Sequence, residues 1–459
     1  MTAKRRMGRS KMLAMAALML LAGCSVSSLL NNAGYVVDTL QKPATVAAAR
    51  DTFLLRSSRV FYPNALPADP AELPALSAEH RRQIGELVQH VLGELTATQS
   101  RRQQALGAVA GPVDASSART KVIVVDQSQA VAAVDSSGYL AINGRVVQGI
   151  YRSALIEVMA DDDQPGVPSA ERERAAFQEF AEFRSGIDAM SPLQPLSDFK
   201  AFTRGARGEG SMAGIGNLMV GGEKADPLDK LMGGMMSGMF GVLEQRMQDM
   251  WLSQRSAALE ASFIGAVRFL LAHELAHLSL GHFPLSPQCD VAITRELAAD
   301  RHATLLGLSA QADRLPRIPL RRGSGGSLKM EGAQAMTALA MQPVPSARQF
   351  FKLAYQLAGF DSVMLAVAGC QYPDAKTRLE RVDQIEQGGI SWIDIGRMDA
   401  ALRRADGESG DPTRVQARFE ARRDEVFGEA KKRDPAEAEE LRIYEPWWRM
   451  LYTAAEEVQ

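Results

Sequence analysis

The chain has 459 residues, 46% of them apolar, with 52 Lys and Arg against 54 Asp and Glu for a formal net charge of −2. That length and apolar content suffice for one large core with appendages. Removing the first 23 residues takes away five basic residues and no acidic ones, which carries the net charge to −7 and argues against nucleic acid as a partner.

In chain order, Lys4, Arg5, Arg6, Arg9 and Lys11 form a basic stretch. Met12 to Ala22 is an apolar run of 11 residues, too short to cross a bilayer as a helix. Together they read as an export signal. It ends in Leu21-Ala22-Gly23-Cys24, which resembles the bacterial lipobox. That resemblance implies cleavage before Cys24, a diacylglyceryl thioether on its sulfur and, with more than one acyl chain, a stable membrane anchor. Ser25 in the next position, rather than Asp, points in a Gram-negative cell to the periplasmic side of the outer membrane. The other reading is an ordinary secreted protein with a chance cysteine. With Cys24 lipidated, Cys289 and Cys370 remain, either as a disulfide in an oxidising compartment or as two buried thiols. No later segment is long and apolar enough to span a membrane.

Residues 25–42 read as a tether and 63–74, rich in Pro, as a linker. Ser77 to Ala108 carries helical periodicity through Ile84, Leu87, Val88, Val91, Leu92 and Leu95, with Ser77 as its N-cap. His80 and His90 on this helix read as surface or core histidines. Lys121 to Val125 is β-rich, and Tyr139 to Val147 reads as a hairpin around an Asn143-Gly144 turn. This hairpin is either the cleft edge that holds an extended substrate or a purely structural sheet. About a hundred residues follow, 160–261, read mainly as a flexible insertion, either a lid or plug over the cleft or a surface that meets membrane or a partner. Ala170 to Phe183 is helical and charged, and Gly205 to Gly241 is rich in Gly and Met. Met232, Met235, Met236 and Met239 suit a packed face, an adaptable surface for an envelope protein partner or, through thioethers, Cu(I).

The next segment is Leu270-Leu271-Ala272-His273-Glu274-Leu275-Ala276-His277, an HExxH sequence in an apolar helical setting. Residues four apart share a helix face, so His273 and His277 point two imidazoles at one metal ion. Glu274 sits where a carboxylate takes a proton from the attacking water. After a short loop comes Arg295-Glu296-Leu297-Ala298-Ala299-Asp300-Arg301. A catalytic zinc needs three protein ligands and an open position, and Glu296 is the third ligand. Asp300, one turn on, hydrogen-bonds the outer nitrogen of a ligand histidine and fixes its tautomer. Four of the six histidines, His273, His277, His282 and His302, fall within 30 residues. A structural zinc site is the other reading, but such sites are usually Cys-rich and closed.

The pairing of HExxH with ExxAD resembles the gluzincins and, within them, the HtpX / CaaX prenyl endopeptidase family and its periplasmic lipoprotein and Oma-type relatives. The similarity rests on Phe269 to His282 and Glu296 to Gly307. Glu296 follows His277 by only 19 residues, a shorter gap than in that family, though one that still lets two helices meet at a metal as in thermolysin-like gluzincins. A metzincin pattern fails, because Phe283 stands where the third histidine would be. In the resembled family the HExxH helix follows the sheet closely, so the insertion is a departure. Further along, Cys370-Gln371-Tyr372-Pro373-Asp374-Ala375-Lys376-Thr377-Arg378 is similar to the family's His-Pro segment, with Tyr372 in place of His. Tyr372 either donates to the oxyanion or is a packed aromatic. Arg378 either pairs with a carboxylate near the site or is a surface charge.

Ala310 to Gly332 is basic and Gly/Ser-rich and reads as an exposed loop. Gln349 to Ala368 reads as a helix, and the charged tail from Ile390 is helical, with Trp447 and Trp448 docking it. The expectation is an α+β, helix-rich, zincin-like core over residues 116–395 with a small sheet, a long insertion and a helical C-terminal tail from 396. Residues 1–23 are the lipoprotein signal and 24–115 a tether with a helical region. The expected function is a lipid-anchored metalloendopeptidase with one Zn2+, cutting protein substrates in envelope quality control. The alternative is a non-catalytic or autoinhibited chaperone-like lipoprotein.

Overall fold

The computed structural model describes residues 45–457 except 65, 68–72, 107–119, 127–131, 161–168, 197–226, 284–287, 331–343, 345, 356–374, 409–410 and 434–441; within helices, the side chains of 103–106, 169, 227–250, 354–355, 375 and 456–457 are also left out. Among the described residues the chain is helix-rich with two small sheets, an α+β architecture. None of the described helices is long and apolar enough to cross a membrane.

Chain contacts divide it into two units, Met1–Thr52 with Glu182–Gln254, and Phe53–Ala181 with Arg255–Gln459. In the first, helix α1 (Val46–Arg50) is capped by Thr45, whose hydroxyl accepts from Ala48 N. The Arg50 guanidinium donates to the carbonyls of Ile187, Asp188 and Met190 at 2.8–3.1 Å. It thereby satisfies carbonyl groups that a helix end leaves without intrahelical partners.

The second unit holds all the described candidate site residues. Helix α2 is Phe53–Phe61 and α3 is Ala78–Leu106. Ser77 caps α3 as its sequence indicates, with its hydroxyl accepting from His80 N at 3.2 Å. Strands β1 (Lys121–Val125), β2 (Ala132–Val134) and β3 (Tyr139–Asn143) form a sheet of order β1-β3-β2, in which β1 is parallel and β2 antiparallel to β3.

The expected hairpin at Asn143-Gly144 is a strand-to-helix junction instead. Asn143 Oδ1 accepts from Arg145 N at 2.9 Å, and helix α4 (Gly144–Met159) starts there. An Asn side chain that tightens a turn is equally good as an N-cap. The decision falls to the residues beyond it: Val147, Ile150, Tyr151, Ala154 and Leu155 are all fully buried at helical spacing. Gly144 is needed for close approach, since a Cβ there would lie 2.7 Å from Leu76 Cδ1 and 2.9 Å from Val124 Cγ1.

Helix α5 (Ser169–Ala189) covers the charged helical segment of the insertion. From Pro227 on, the insertion departs from the loop expectation. Pro227–Ser279 is one helix of 53 residues, α6, and HExxH is its last part. Pro227 suits a first helical position, and no other proline interrupts the chain before Pro284. The Met-rich stretch 232–239 therefore lies on helical backbone, while residues 205–226 fall outside the described residues.

From Ser262 to Ser279, α6 is buried nearly all round, as expected of a helix that is apolar on every face. Phe263 sits edge-on to Phe61 and Tyr151, each at 5.3 Å, and Phe61 stacks on Tyr151 at 4.2 Å. Burying each such ring contributes roughly 1.5–3 kcal/mol.

Helix α7 (Cys289–Ala312) ends before a small exposed hairpin, β4 (Leu320–Arg322) with β5 (Leu328–Met330), where the sequence indicates only a loop. Gly325 and Gly326 at positive φ make its turn. Helices α8 (Ser346–Tyr355), α9 (Ala375–Ala405), α10 (Pro412–Arg433) and α11 (Glu445–Glu457) complete the unit. The expected helix from Gln349 to Ala368 is described only as far as Tyr355. Trp447 and Trp448 dock the tail as their sequence suggests, in a core with Leu305, Leu308, Trp392, Ile393, Leu451 and Tyr452 from α7, α9 and α11.

Candidate metal centre

His273 and His277 stand one turn apart on one face of α6, ring centroids 4.8 Å apart. Helix α7 brings Glu296 to the same point. His273 Nε2 lies 3.1 Å from both His277 Nε2 and Glu296 Oε2, and His277 Nε2 is 3.4 Å from Glu296 Oε1. Ligand atoms held tetrahedrally at about 2.05 Å from an ion lie about 3.3 Å from one another. Spacing and donor type, two imidazole nitrogens and a carboxylate, thus fit a zinc ion with one position left open. Among the described residues these three are the group whose ligand atoms all fall within 4.8 Å of each other.

A buried support surrounds them. Asp300 Oδ1 is 3.0 Å from His273 Nδ1, a short but bent contact. Arg378, on α9, clamps Asp300 with two parallel bonds, Nε to Oδ2 at 2.8 Å and Nη2 to Oδ1 at 2.6 Å. The two side chains are 3% and 1% exposed, and Arg378 Nη2 also lies 3.9 Å from Glu296 Oε2. Arg378 is therefore the carboxylate partner of its two sequence readings, not the surface charge. Its guanidinium packs over Phe351 at 5.3 Å from the ring centroid.

Charges in the metal-free chain follow from burial and these neighbours. Burial opposes a proton on His273, but the Asp300 and Glu296 carboxylates outweigh it and raise the imidazole above its ordinary range. His277 is held below it, by burial first and then by the His273 charge. Burial works against ionised Asp300 and Glu296, yet Arg378 and His273 for the first, and chiefly His273 for the second, keep both carboxyls low. Glu274, only 9% exposed, is pushed up to about 7 by burial, against the pull of His273.

Sequence reasoning leaves His282 and His302 without a role. His282 Nδ1 lies 3.0 Å from His277 Nδ1. His302 packs edge-on to Trp447 at 5.5 Å and ties α7 to α11. The signal for His282 is Gly281, whose positive φ folds the chain back at the end of α6. Cys289 is disulfide-bonded; the other cysteines, Cys24 and Cys370, and also Tyr372, lie outside the described residues.

Neither a curated protein nor a solved structure matches the chain. A family model does: residues 246–389 match the family described as Peptidase U49. That stretch contains His273, Glu274, His277, Glu296, Asp300 and Arg378 together. Over the residues that build the centre the chain is similar to a peptidase family, which supports a protease.

Proposed function

We propose that the chain is a zinc metallopeptidase that hydrolyses peptide bonds. The observation that carries this reading is the convergence of His273 Nε2, His277 Nε2 and the Glu296 carboxylate, whose Oε2 lies 3.1 Å from the first and whose Oε1 lies 3.4 Å from the second, with Glu274 next in sequence to His273. Zinc held there would supply Lewis acidity to the substrate carbonyl and lower the pKa of water towards ~7.

The chain's own residues supply the rest. Glu274 takes a proton on its carboxylate as the water oxygen attacks the carbonyl carbon, then delivers it to the amine nitrogen as the C–N bond breaks. Asp300 Oδ1, 3.0 Å from His273 Nδ1, favours the tautomer with its proton on Nδ1, which leaves the Nε2 lone pair facing the centre. Arg378 holds Asp300 ionised and in place.

Glu274→Gln keeps the size and removes the base. Peptide hydrolysis by this variant falls by about 10²–10⁴-fold, with zinc content unchanged. A variant that cleaves at the normal rate overturns the mechanism. A variant that is inactive yet replaces the wild type in cells favours the scaffold reading.

The resemblance to the HtpX / CaaX prenyl endopeptidase branch and the Leu21–Cys24 sequence support a lipid anchor on Cys24, a place on the periplasmic side of the outer membrane, and a role in envelope quality control. Labelled palmitate should enter the wild type and not Cys24→Ala; equal labelling of the two rules this anchor out.

A further inference from the structure

We infer that His282 is a positioning residue for His277: its Nδ1 accepts a hydrogen bond from His277 Nδ1–H and so turns the Nε2 lone pair of His277 towards Glu296 and His273. The inference rests on the metal-site reading above and extends it to the second histidine.

The geometry comes from how α6 ends. Gly281 has φ +65°, His282 N donates to His277 O at 3.0 Å, and Gly281 N donates to Leu278 O at 3.2 Å. This bond pair is a Schellman motif, which sets the residue after the left-handed glycine back over the residue three before the helix end. An apolar contact usually fills that place. Here the two positions are His282 and His277, and their rings meet at 5.0 Å, inclined at 68°, with the Nδ1 atoms 3.0 Å apart.

Two neutral imidazoles bond through these atoms in only one sense at a time. With His277 Nε2 given to the centre, the proton of His277 sits on Nδ1, so His282 accepts. His282 is 8% exposed, and Arg295 Nη1 donates to its carbonyl at 3.0 Å. Arg295 precedes Glu296 on α7, so the element that supplies the third ligand also steadies the cap. His273 and His277 are then oriented differently, one by an ionised carboxylate and the other by a neutral ring.

The test compares His282→Ala, His282→Asn and His282→Gln with the wild type, measuring zinc affinity by competition with a chelator and the visible bands of the Co2+-loaded protein. Urea midpoints of the metal-free forms check folding. Ala should weaken zinc binding by about 10–100-fold and alter the Co2+ bands, whereas Asn, whose amide oxygen stands where Nδ1 does, recovers to within about threefold. Gln, one carbon longer, should resemble Ala. Wild-type affinity in Ala, or equal affinity in Asn and Gln, overturns the inference, and the Asn and Gln pair decides it if Ala does not fold. Zinc binding by the wild type with no change in these variants would sink this inference alone. No zinc uptake by the wild type would sink the metal-site reading and this inference with it.

Discussion

Arg378→Ala probes the support of the centre without touching His273, His277 or Glu296. The change removes two charge-assisted bonds, at 2.8 and 2.6 Å, from a pair that is 3% and 1% exposed. Breaking a buried ion pair by removing one partner costs about 3–5 kcal/mol. Asp300 has one escape, which is to take up a proton. From an ordinary carboxyl near pKa 3.9, that costs about 4 kcal/mol at pH 7 and about 1.5 kcal/mol at pH 5. The loss of stability should therefore be about 3–4 kcal/mol at pH 7 and shrink to about 1.5 kcal/mol at pH 5, plus what the Phe351 contact contributes. The sign follows from linkage. The wild type itself is unchanged between these pH values, because a carboxyl depressed in the folded chain loses its contribution only as pH falls below the unfolded pKa. The change comes from the variant, in which burial without Arg378 raises Asp300, so that it takes up its proton at less cost at pH 5 than at pH 7. Urea unfolding of the purified protein at both pH values, with Asp300→Ala and the double variant, gives the coupling energy directly. A coupling below about 1 kcal/mol at pH 7, the range of an exposed pair, would refute the reasoning.

Two glycines of the C-terminal helices should respond in opposite directions to alanine. A Cβ on Gly396 would meet the Tyr452 carbonyl oxygen at 2.6 Å, backbone that cannot rotate away, so Gly396→Ala should cost about 1–3 kcal/mol. Gly428, with nothing within 4 Å, should gain about 0.5–1 kcal/mol; thermal unfolding of both checks this, and a stabilised Gly396→Ala would contradict the packing of α9 on α11. Glu386, fully buried, accepts from Ala347 N and Arg348 N at the start of α8, and burial raises its carboxyl to about 7. Its folded pKa lies above the unfolded one, so its contribution is present below about pH 4.5 and is lost as pH rises through about 7. Relative to Glu386→Gln, the wild type should lose up to about 3 kcal/mol between pH 4.5 and 7.5 in urea unfolding, and parallel curves would refute this.

The parts of the centre that lie within one helical turn were legible in the sequence. His273 and His277, and Glu296 and Asp300, are each four residues apart, and helix geometry alone puts each pair on one face. The partner of Arg378 is not legible in the sequence, because it depends on how α9 crosses α7, and no local pattern encodes a crossing. His282 was missed because the residue that places it is its neighbour: Gly281 reads as an ordinary helix end until the 3.0 Å bond from His282 N to His277 O is seen. Elsewhere local signals were outvoted by burial. Asn143-Gly144 is as good a helix start as a hairpin turn, and four glycines between Gly233 and Gly241 read as a loop although α6 runs through them.

Helix α7 carries a local conflict of its own. Glu296 and Asp300 are like charges one turn apart, a pair that destabilises an isolated helix by a few tenths of a kcal/mol. Partial burial makes the conflict larger, since Asp300 is 1% and Glu296 21% exposed and little water is left to screen them. A chain selected for stability alone would have no reason to keep both ionised. The cost is offset from outside α7: Arg378 bonds Asp300 twice and reaches Glu296 at 3.9 Å, and His273 lies between the two carboxylates, 3.0 Å from one and 3.1 Å from the other. Natural sequences tend to break local rules where function demands it and compensate elsewhere. Here the compensation comes from α6 and α9, so the three helices must be assembled before the two carboxylates are tolerated, and the centre is only as stable as that assembly.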